Sequence, residues 1–70
     1  MKPQTEQIRA ALEAGEVLTA LIGLERFGTL RLAARIEELR RAGDPIDTEL
    51  VRTPSGKTIA SYAWRVPFQG

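Results

Sequence analysis

The chain has 70 residues, enough for one small domain but not for two. It contains no cysteine and no histidine, which excludes disulfides, thiolate chemistry, the usual neutral-pH general base and the commonest metal ligand. The net charge is +1, but residues 1–25 carry two basic and four acidic side chains, whereas residues 26–70 carry eight basic and five acidic ones. This asymmetry is compatible with a polyanionic partner and also with an ordinary solvated surface.

The sequence contains no membrane or export signal that we recognise. No apolar run approaches the roughly 20 residues that a bilayer span requires. Residues 1–6 are polar and lack the apolar core of a signal peptide. We therefore expect a soluble, cytoplasmic protein without a membrane partner.

The first predicted helix begins at Pro3 or Thr5 and ends at Ala14. Proline suits the first turn of a helix, and Gly15 suits its end. Apolar residues recur at steps of three and four and predict one buried stripe, formed by Ile8, Ala11 and Leu12.

The second predicted helix extends from Ala20 to about Phe27 and follows a brief strand over Glu16–Leu18. The side chain of Thr19 is placed to cap this helix. The predicted apolar face consists of Ala20, Gly23, Leu24 and Phe27. Gly23 costs roughly 1 kcal/mol of helix propensity, and a second helix crossing close by would explain it. Ile22 is predicted to point away from this face.

The third predicted helix extends from Leu30 to Ala42 after a tight turn. Gly28 is expected to end the preceding helix in the left-handed conformation, and Thr29 to cap the third. The predicted buried stripe consists of Leu32, Ala33, Ile36 and Leu39. Arg40 and Arg41 lie in the last turn, where they favour the negative end of the helix dipole.

After Asp44 and Pro45 the apolar pattern changes to a period of two, which predicts a β-hairpin. One strand places Ile46, Thr48 and Leu50 on one face and Asp47, Glu49 and Val51 on the other. The residues of Thr53–Gly56 favour a turn, and a second strand covers Lys57–Arg65. On that strand Ala60, Tyr62 and Trp64 share a face that is expected to cover the helices. Residues 67–70 close the chain and are expected to fray.

A two-stranded hairpin is marginal alone and needs a helix face to lie on. The order of elements therefore predicts a mainly α fold with a small hairpin (α+β), a winged helix-turn-helix. We expect three helices and a two- or three-stranded wing sheet, forming a single domain over residues 1–70.

Five segments carry a family resemblance: Leu18-Thr19, Leu24–Gly28, Arg31–Gly43, Pro45-Ile46 and Gly56-Lys57. The most specific is Arg31-Leu32-Ala33-Ala34-Arg35-Ile36 with the Leu39 and Gly43 that follow. Over about three quarters of the chain the sequence resembles a family of helix-turn-helix domains associated with phages and prophages. The resemblance implies a winged helix that binds DNA and is often found in mobile elements. Where the family tends to have a capping Ser or Thr, this chain has Leu30, an apolar side chain.

In a helix-turn-helix protein the second helix of the motif enters the major groove, with its N-terminal residues toward the base edges. The outward positions here would be Leu30, Arg31, Ala34, Arg35 and Glu38. Arg31 and Arg35 are four residues apart, and each can bind guanine or phosphate. Leu30 and Ala34 could pack against thymine methyl groups, whereas Glu38 could accept from cytosine or repel phosphate. The alternative is a solvated helix face on which the arginines pair with Glu38.

The hairpin offers a second candidate surface for DNA. Arg52 and Lys57 flank the predicted turn and could contact phosphate without reading sequence. The alternative is an ordinary exposed hairpin. Thr19 could offer a helix N-terminal N–H to a phosphate, although capping explains it equally well. Thr29 belongs to the candidate surface as the residue that begins the presumed reading helix.

Catalytic, metal and cofactor sites are not expected. Glu37 and Glu38 are adjacent and diverge on a helix, and the acids around Asp44 lack the spacing of a metal loop. Gly56-Lys57-Thr58 matches the end of a phosphate-binding loop, but Val51 stands where that motif requires glycine. We therefore expect a protein that is not an enzyme, with double-stranded DNA and no small molecule as its partner.

A protein-binding winged helix, such as a phage-encoded adaptor or inhibitor, is the alternative to DNA binding. Leu30, Ala34 and an outward Ile22 would form an apolar patch for another protein or a second copy. A homodimer would also double the DNA site. Trp64, Val66 and Phe68 could form a dimer surface or could pack over the core.

Overall fold

Three helices and three strands make up residues 3–65, the part of the chain that the computed structural model describes. The elements are α1 (Gln4–Glu13), β1 (Leu18–Thr19), α2 (Ala20–Phe27), α3 (Leu32–Arg41), β2 (Ile46–Arg52) and β3 (Thr58–Trp64). Their order is the predicted one, although β1 begins at Leu18 instead of Glu16. Within residues 3–65 no helix is long and apolar enough to cross a membrane. The sequence-based expectations for Val66, Phe68 and residues 67–70 lie outside the described residues.

The strands form one antiparallel sheet in the order β1-β3-β2. In the hairpin, Ile46 pairs with Trp64 at one end and Arg52 with Thr58 at the other. The tip is closed by the Thr53 N–H, which donates to the Lys57 carbonyl at 2.7 Å. On the other side of β3, Leu18 pairs with Tyr62. This pairing ties the beginning of α2 to the hairpin.

The helices pack over one face of the sheet around a single cluster of buried side chains. The cluster contains Ile8, Ala11, Leu12, Leu18, Leu32, Ile36, Leu39 and Ile46. Tyr62 and Trp64 pack against it, which confirms that the aromatic face of β3 covers the helices. Burial of an aliphatic side chain of this size stabilises a fold by about 1.5–3 kcal/mol. In so small a domain, this cluster is the main source of stability.

The second helix has the predicted bounds and caps. The Thr19 hydroxyl accepts a hydrogen bond from the Ile22 N–H at 3.4 Å, and Gly28 ends the helix with φ of 67°. Gly23 is buried against α3: a Cβ placed on it would lie 3.2 Å from the Leu32 Cβ. The close helix crossing that the glycine predicted is therefore present.

The face that α2 buries differs from the predicted one. Ile22, predicted to point outward, packs partly buried against the core, whereas Ala20 and Leu24 are exposed. Leu21 is exposed over 62% of its surface. The buried face of α2 is therefore centred nearer to Ile22 than predicted. Several neighbouring positions of α2 are large and apolar, so contacts with α1, β1 and α3 determine which of them are buried.

The third helix begins at Leu32, two residues later than predicted. Thr29 is buried, and its hydroxyl accepts the Arg31 N–H at 3.0 Å, so residues 29–31 form a turn ahead of the helix. The N-cap is Arg31, and none of the described side chains caps α3. The prediction that Thr29 caps this helix was therefore wrong. Ala33, which was predicted to be buried, is exposed beside the narrower stripe of Leu32, Ile36 and Leu39.

Replacing the Thr29 hydroxyl tests whether it stabilises this turn. We expect Thr29→Val to lower the free energy of unfolding by about 1 kcal/mol, because the Arg31 N–H loses its acceptor. In a domain of this size that corresponds to a fall of roughly 4–8 °C in the thermal midpoint. Thr58→Val is the control, since Thr58 is exposed and its hydroxyl makes no hydrogen bond within the described chain. Equal midpoints for the two variants would contradict the assignment.

An exposed ion pair joins the two long strands at the end opposite the hairpin tip. The Arg65 Nη2 lies 2.7 Å from the Asp47 Oδ1. The hydrogen bonds that Arg65 donates to Asp47 lower the pKa of the Asp47 carboxyl and raise the pKa of the Arg65 guanidinium. Because the folded-state pKa of Asp47 is lowered, its contribution to stability is present above the ordinary aspartate pKa and is lost as the pH falls through the folded-state value.

Candidate nucleic-acid interface

One face of α3 is buried, and the opposite face is open to solvent. The buried face carries Leu32, Ile36 and Leu39. The opposite face carries Ala34, Glu38 and Arg41, all of which are exposed. These positions follow one another at steps of four and three, so they form a continuous stripe along the helix. A face of this kind is available to enter a groove.

The turn before α3 places two further predicted residues at the surface. Leu30 is exposed over 85% of its surface, the most exposed large apolar residue in the described chain. Arg31 is exposed at the N-terminal end of the helix. Leu30, Arg31, Ala34 and Glu38 thus lie at the surface as expected, and their contact with DNA remains a prediction.

Five of the nine basic side chains between residues 3 and 65 are held by neighbouring groups. Arg9 pairs with Asp44 at 3.1 Å, Arg26 with Glu16, Arg35 with Glu38 at 3.3 Å and Arg65 with Asp47 at 2.7 Å, while Arg40 donates to the Ile46 carbonyl at 3.0 Å. Four others make no ion pair or side-chain hydrogen bond with described residues: Arg31, Arg41, Arg52 and Lys57. All four unengaged cations lie on α3, on the turn before it or on the hairpin.

Arg35 is less exposed than its predicted outward position implies. Only 31% of its side chain is exposed, and its Nε is buried with no hydrogen-bond partner among the described residues. The residue lies three positions after Leu32 and one before Ile36, at the border of the buried stripe. Its Nη1 lies 3.3 Å from the Glu38 Oε2. Arg35 is therefore a restrained cation, unlike Arg31.

The hairpin tip carries the other two unengaged cations. Arg52 and Lys57 are exposed on either side of the turn, as expected. The Thr53 hydroxyl shares a hydrogen bond with the Ser55 hydroxyl at 2.9 Å and accepts the Lys57 N–H at 3.2 Å. These bonds make the tip a defined turn that holds two positive charges at the end of the wing.

The two threonines of the predicted surface have structural roles. The Thr19 hydroxyl caps α2, and the Thr29 hydroxyl holds the Arg31 backbone. Thr29 is only 7% exposed, which removes its side chain from any direct contact with a macromolecule. Its contribution to the surface is to position Arg31.

Arg41 is a candidate residue that the sequence reasoning treated only as a partner of the helix dipole. It lies seven positions after Ala34 and shares its face on a 3.6-residue helix. That spacing was readable in the sequence. The sequence-based prediction covered only the N-terminal part of α3, because recognition helices contact base edges with their N-terminal residues.

An apolar cleft of about 420 Å³ borders the open face of α3. It lies between the start of α2, the exposed side of α3 and the hairpin. Its lining includes Leu21, Ala33, Thr53, Ile59 and Tyr62. Ile59 is 39% exposed, so the cleft presents accessible apolar surface. No cluster of metal-ligating side chains lies within residues 3–65.

Three helices followed by an antiparallel hairpin, with a short strand between the first two helices, define a winged helix-turn-helix protein. A family model described as a winged helix-turn-helix domain matches residues 3–64, and the chain belongs to this family. No curated protein and no solved structure shows significant similarity to it. Domains of this class are typically DNA-binding modules without enzymatic activity.

Proposed function

We propose that the chain binds double-stranded DNA, with α3 in the major groove and the hairpin tip on the phosphate backbone. The observation that carries the proposal is the distribution of the four unengaged cations, Arg31, Arg41, Arg52 and Lys57. The other described basic residues are occupied by acids or carbonyl groups of the chain. Available positive charge is therefore concentrated on the two elements that a winged helix presents to DNA.

The N-terminal end of α3 supplies the base contacts in this proposal. Arg31 can present its guanidinium fork to guanine O6 and N7. Leu30 and Ala34 are exposed beside it and can pack against thymine methyl groups. Arg41 lies at the far end of the same face, where a phosphate contact would orient the helix.

The wing supplies contacts that do not depend on sequence. Arg52 and Lys57 extend from the ordered tip and can each neutralise one phosphate. Every phosphate contact releases counterions, so each one steepens the fall in affinity with salt.

Lys57→Ala tests this assignment of the wing. We expect it to weaken binding to all duplexes alike, by about eightfold near 0.1 M salt, and to reduce the salt slope by about 0.9. Fluorescence-anisotropy titrations at several salt concentrations measure both quantities. Arg65→Ala is the matched control, because Lys57 immediately precedes β3 whereas Arg65 immediately follows it and is paired with Asp47. If Lys57→Ala left the salt slope unchanged, Lys57 would make no phosphate contact, and the assignment of the wing to the interface would be contradicted.

A protein-binding winged helix is the second candidate, and the apolar cleft is the observation that favours it. Leu21 takes the outward position that was predicted for Ile22, and it lines this cleft. On this alternative the wild-type protein shows no affinity for DNA even at low salt. Leu21→Glu would then be the variant that abolishes capture of the protein partner.

The finer role that we propose is that of a regulator or accessory protein of a phage or other mobile element. It rests on the resemblance of the α3 segment alone. Homodimerisation on the DNA would double the number of base pairs read, and the stoichiometry of the complex measures it.

A further inference from the structure

Arg35 and Glu38 form the only ion pair on the open side of α3 within the described chain. The Arg35 Nη1 and the Glu38 Oε2 are 3.3 Å apart on successive turns of the helix. The Arg35 Nε is buried and has no hydrogen-bond partner among residues 3–65, so the guanidinium cannot turn this edge outward without a change in the side-chain conformation. The donors left at the surface are those of the two Nη atoms.

We propose that Glu38 is a specificity-determining residue, which makes Arg35 a reader of guanine and prevents it from acting as a general phosphate contact. This inference rests on the proposed DNA-binding function. Guanine O6 and N7 accept two N–H groups from one arginine fork. An arginine has five N–H donors, and each Nη atom carries two of them. One N–H of Nη1 can therefore donate to Glu38 while Nη1 and Nη2 each direct another N–H to guanine.

The charge of the pair makes phosphate a poor partner for Arg35. The Glu38 carboxylate offsets the positive charge of the guanidinium, and it would repel a phosphate placed beside it. Guanine O6 and N7 are neutral acceptors and carry no such penalty. The carboxylate also fixes the plane of the guanidinium, which reduces the rotamer freedom lost on binding. Arg31 has no acidic partner in the part of the chain that the structure describes, and it remains able to bind either group.

Glu38→Gln tests the proposal, and Glu37→Gln is its matched control. Both carboxylates are exposed on adjacent positions of α3, and Glu37 makes no ion pair within the described residues. The two variants change the net charge equally, but only the first releases an arginine. Duplexes bound by the wild-type protein are first selected from a random-sequence library. Affinities are then measured for the selected duplex, for random duplex and for selected duplex in which 7-deazaguanine replaces guanine.

We expect both variants to bind random duplex more tightly than wild type. With Glu38→Gln the salt slope should also steepen by about 0.9, because the released Arg35 gains a phosphate contact. The ratio of selected to random affinity should fall about tenfold, and the loss caused by 7-deazaguanine at one position should largely disappear. With Glu37→Gln both the ratio and the effect of 7-deazaguanine should stay as in wild type.

Identical behaviour of the two variants would overturn the inference, because Glu38 would then act only as one surface charge among others. An undiminished effect of 7-deazaguanine in Glu38→Gln would overturn it in the same way. In both cases the proposed DNA binding would stand. If the wild-type protein bound no duplex at low salt, the proposed function and this inference would fail together.

Discussion

The double variant Arg31→Ala/Arg41→Ala is expected to lower the affinity for random-sequence duplex DNA by roughly fiftyfold near 0.1 M salt. The two arginines lie near opposite ends of α3, and neither pairs with another described residue. If both contact phosphates in the non-specific complex, their loss should reduce the salt slope by about 1.8. Anisotropy titrations at several salt concentrations give the affinity and the slope together.

The control for this variant is Arg9→Ala/Arg26→Ala, which removes the same charge from arginines that are paired with acids. Circular dichroism shows whether each variant is folded. The α3 variant should keep its fold, because only the favourable effect of Arg41 on the helix dipole is lost, a few tenths of a kcal/mol. Equal losses of DNA affinity in the two double variants would mean that net charge, and not α3, determines binding.

The largest expected effect on stability is that of Gly23→Leu. A Cβ at position 23 would lie 3.2–3.4 Å from three carbon atoms of Leu32, which is itself 2% exposed. A leucine there must push α2 away from α3, and overpacking of this kind typically costs about 1–3 kcal/mol. The total stability of a domain this size is about 4–10 kcal/mol. We therefore expect the thermal midpoint to fall by roughly 10–20 °C.

Glu25→Leu is the control for Gly23→Leu, since it adds the same side chain to an exposed position of the same helix. Its midpoint should change by no more than a few degrees, as is usual for surface substitutions. Gly23→Ala should lie between the two variants, because its gain in helix propensity offsets part of the contact with Leu32. A Gly23→Leu midpoint equal to that of wild type would show that the helices do not cross closely at this point.

Local chemistry in the sequence predicted the order of elements and most of their ends. The ends of α2 at Thr19 and Gly28 were predictable, because a hydroxyl cap and a left-handed glycine form hydrogen bonds only with residues close to them in sequence. The start of α3 was predicted two residues too early, because the hydroxyl of Thr29 can form either of two local hydrogen bonds. It can cap a helix or close a turn, and here it closes a turn to Arg31.

The orientation of α2 depended on contacts that no local pattern contains. Leu21, Ile22 and Leu24 are all apolar, so a helical wheel does not distinguish the one that packs against the core. Packing of the whole domain determines the outcome: Ile22 packs against the core cluster, and Leu21 lines the open cleft. Ala33 is exposed for the same reason: it lines the cleft between α2, α3 and the hairpin, where no other element of residues 3–65 covers it.

The sequence predicted which residues belong to the candidate interface better than it predicted how exposed or paired their side chains are. Arg31, Arg52 and Lys57 are unengaged at the surface, as a DNA-binding surface requires. The partial burial of Arg35 was not predicted, because it depends on how far the core extends around α3. Arg41 lies seven residues after Ala34 and shares its face of α3, a spacing that is visible in the sequence.

The proposed DNA binding is tested most directly by titrating the wild-type protein with random-sequence duplex DNA at low and moderate salt and measuring fluorescence anisotropy. We expect saturable binding that weakens steeply with salt, with a slope close to −3.6 if all four unengaged cations contact phosphate. Absence of binding at low salt, or binding that salt does not weaken, would contradict it.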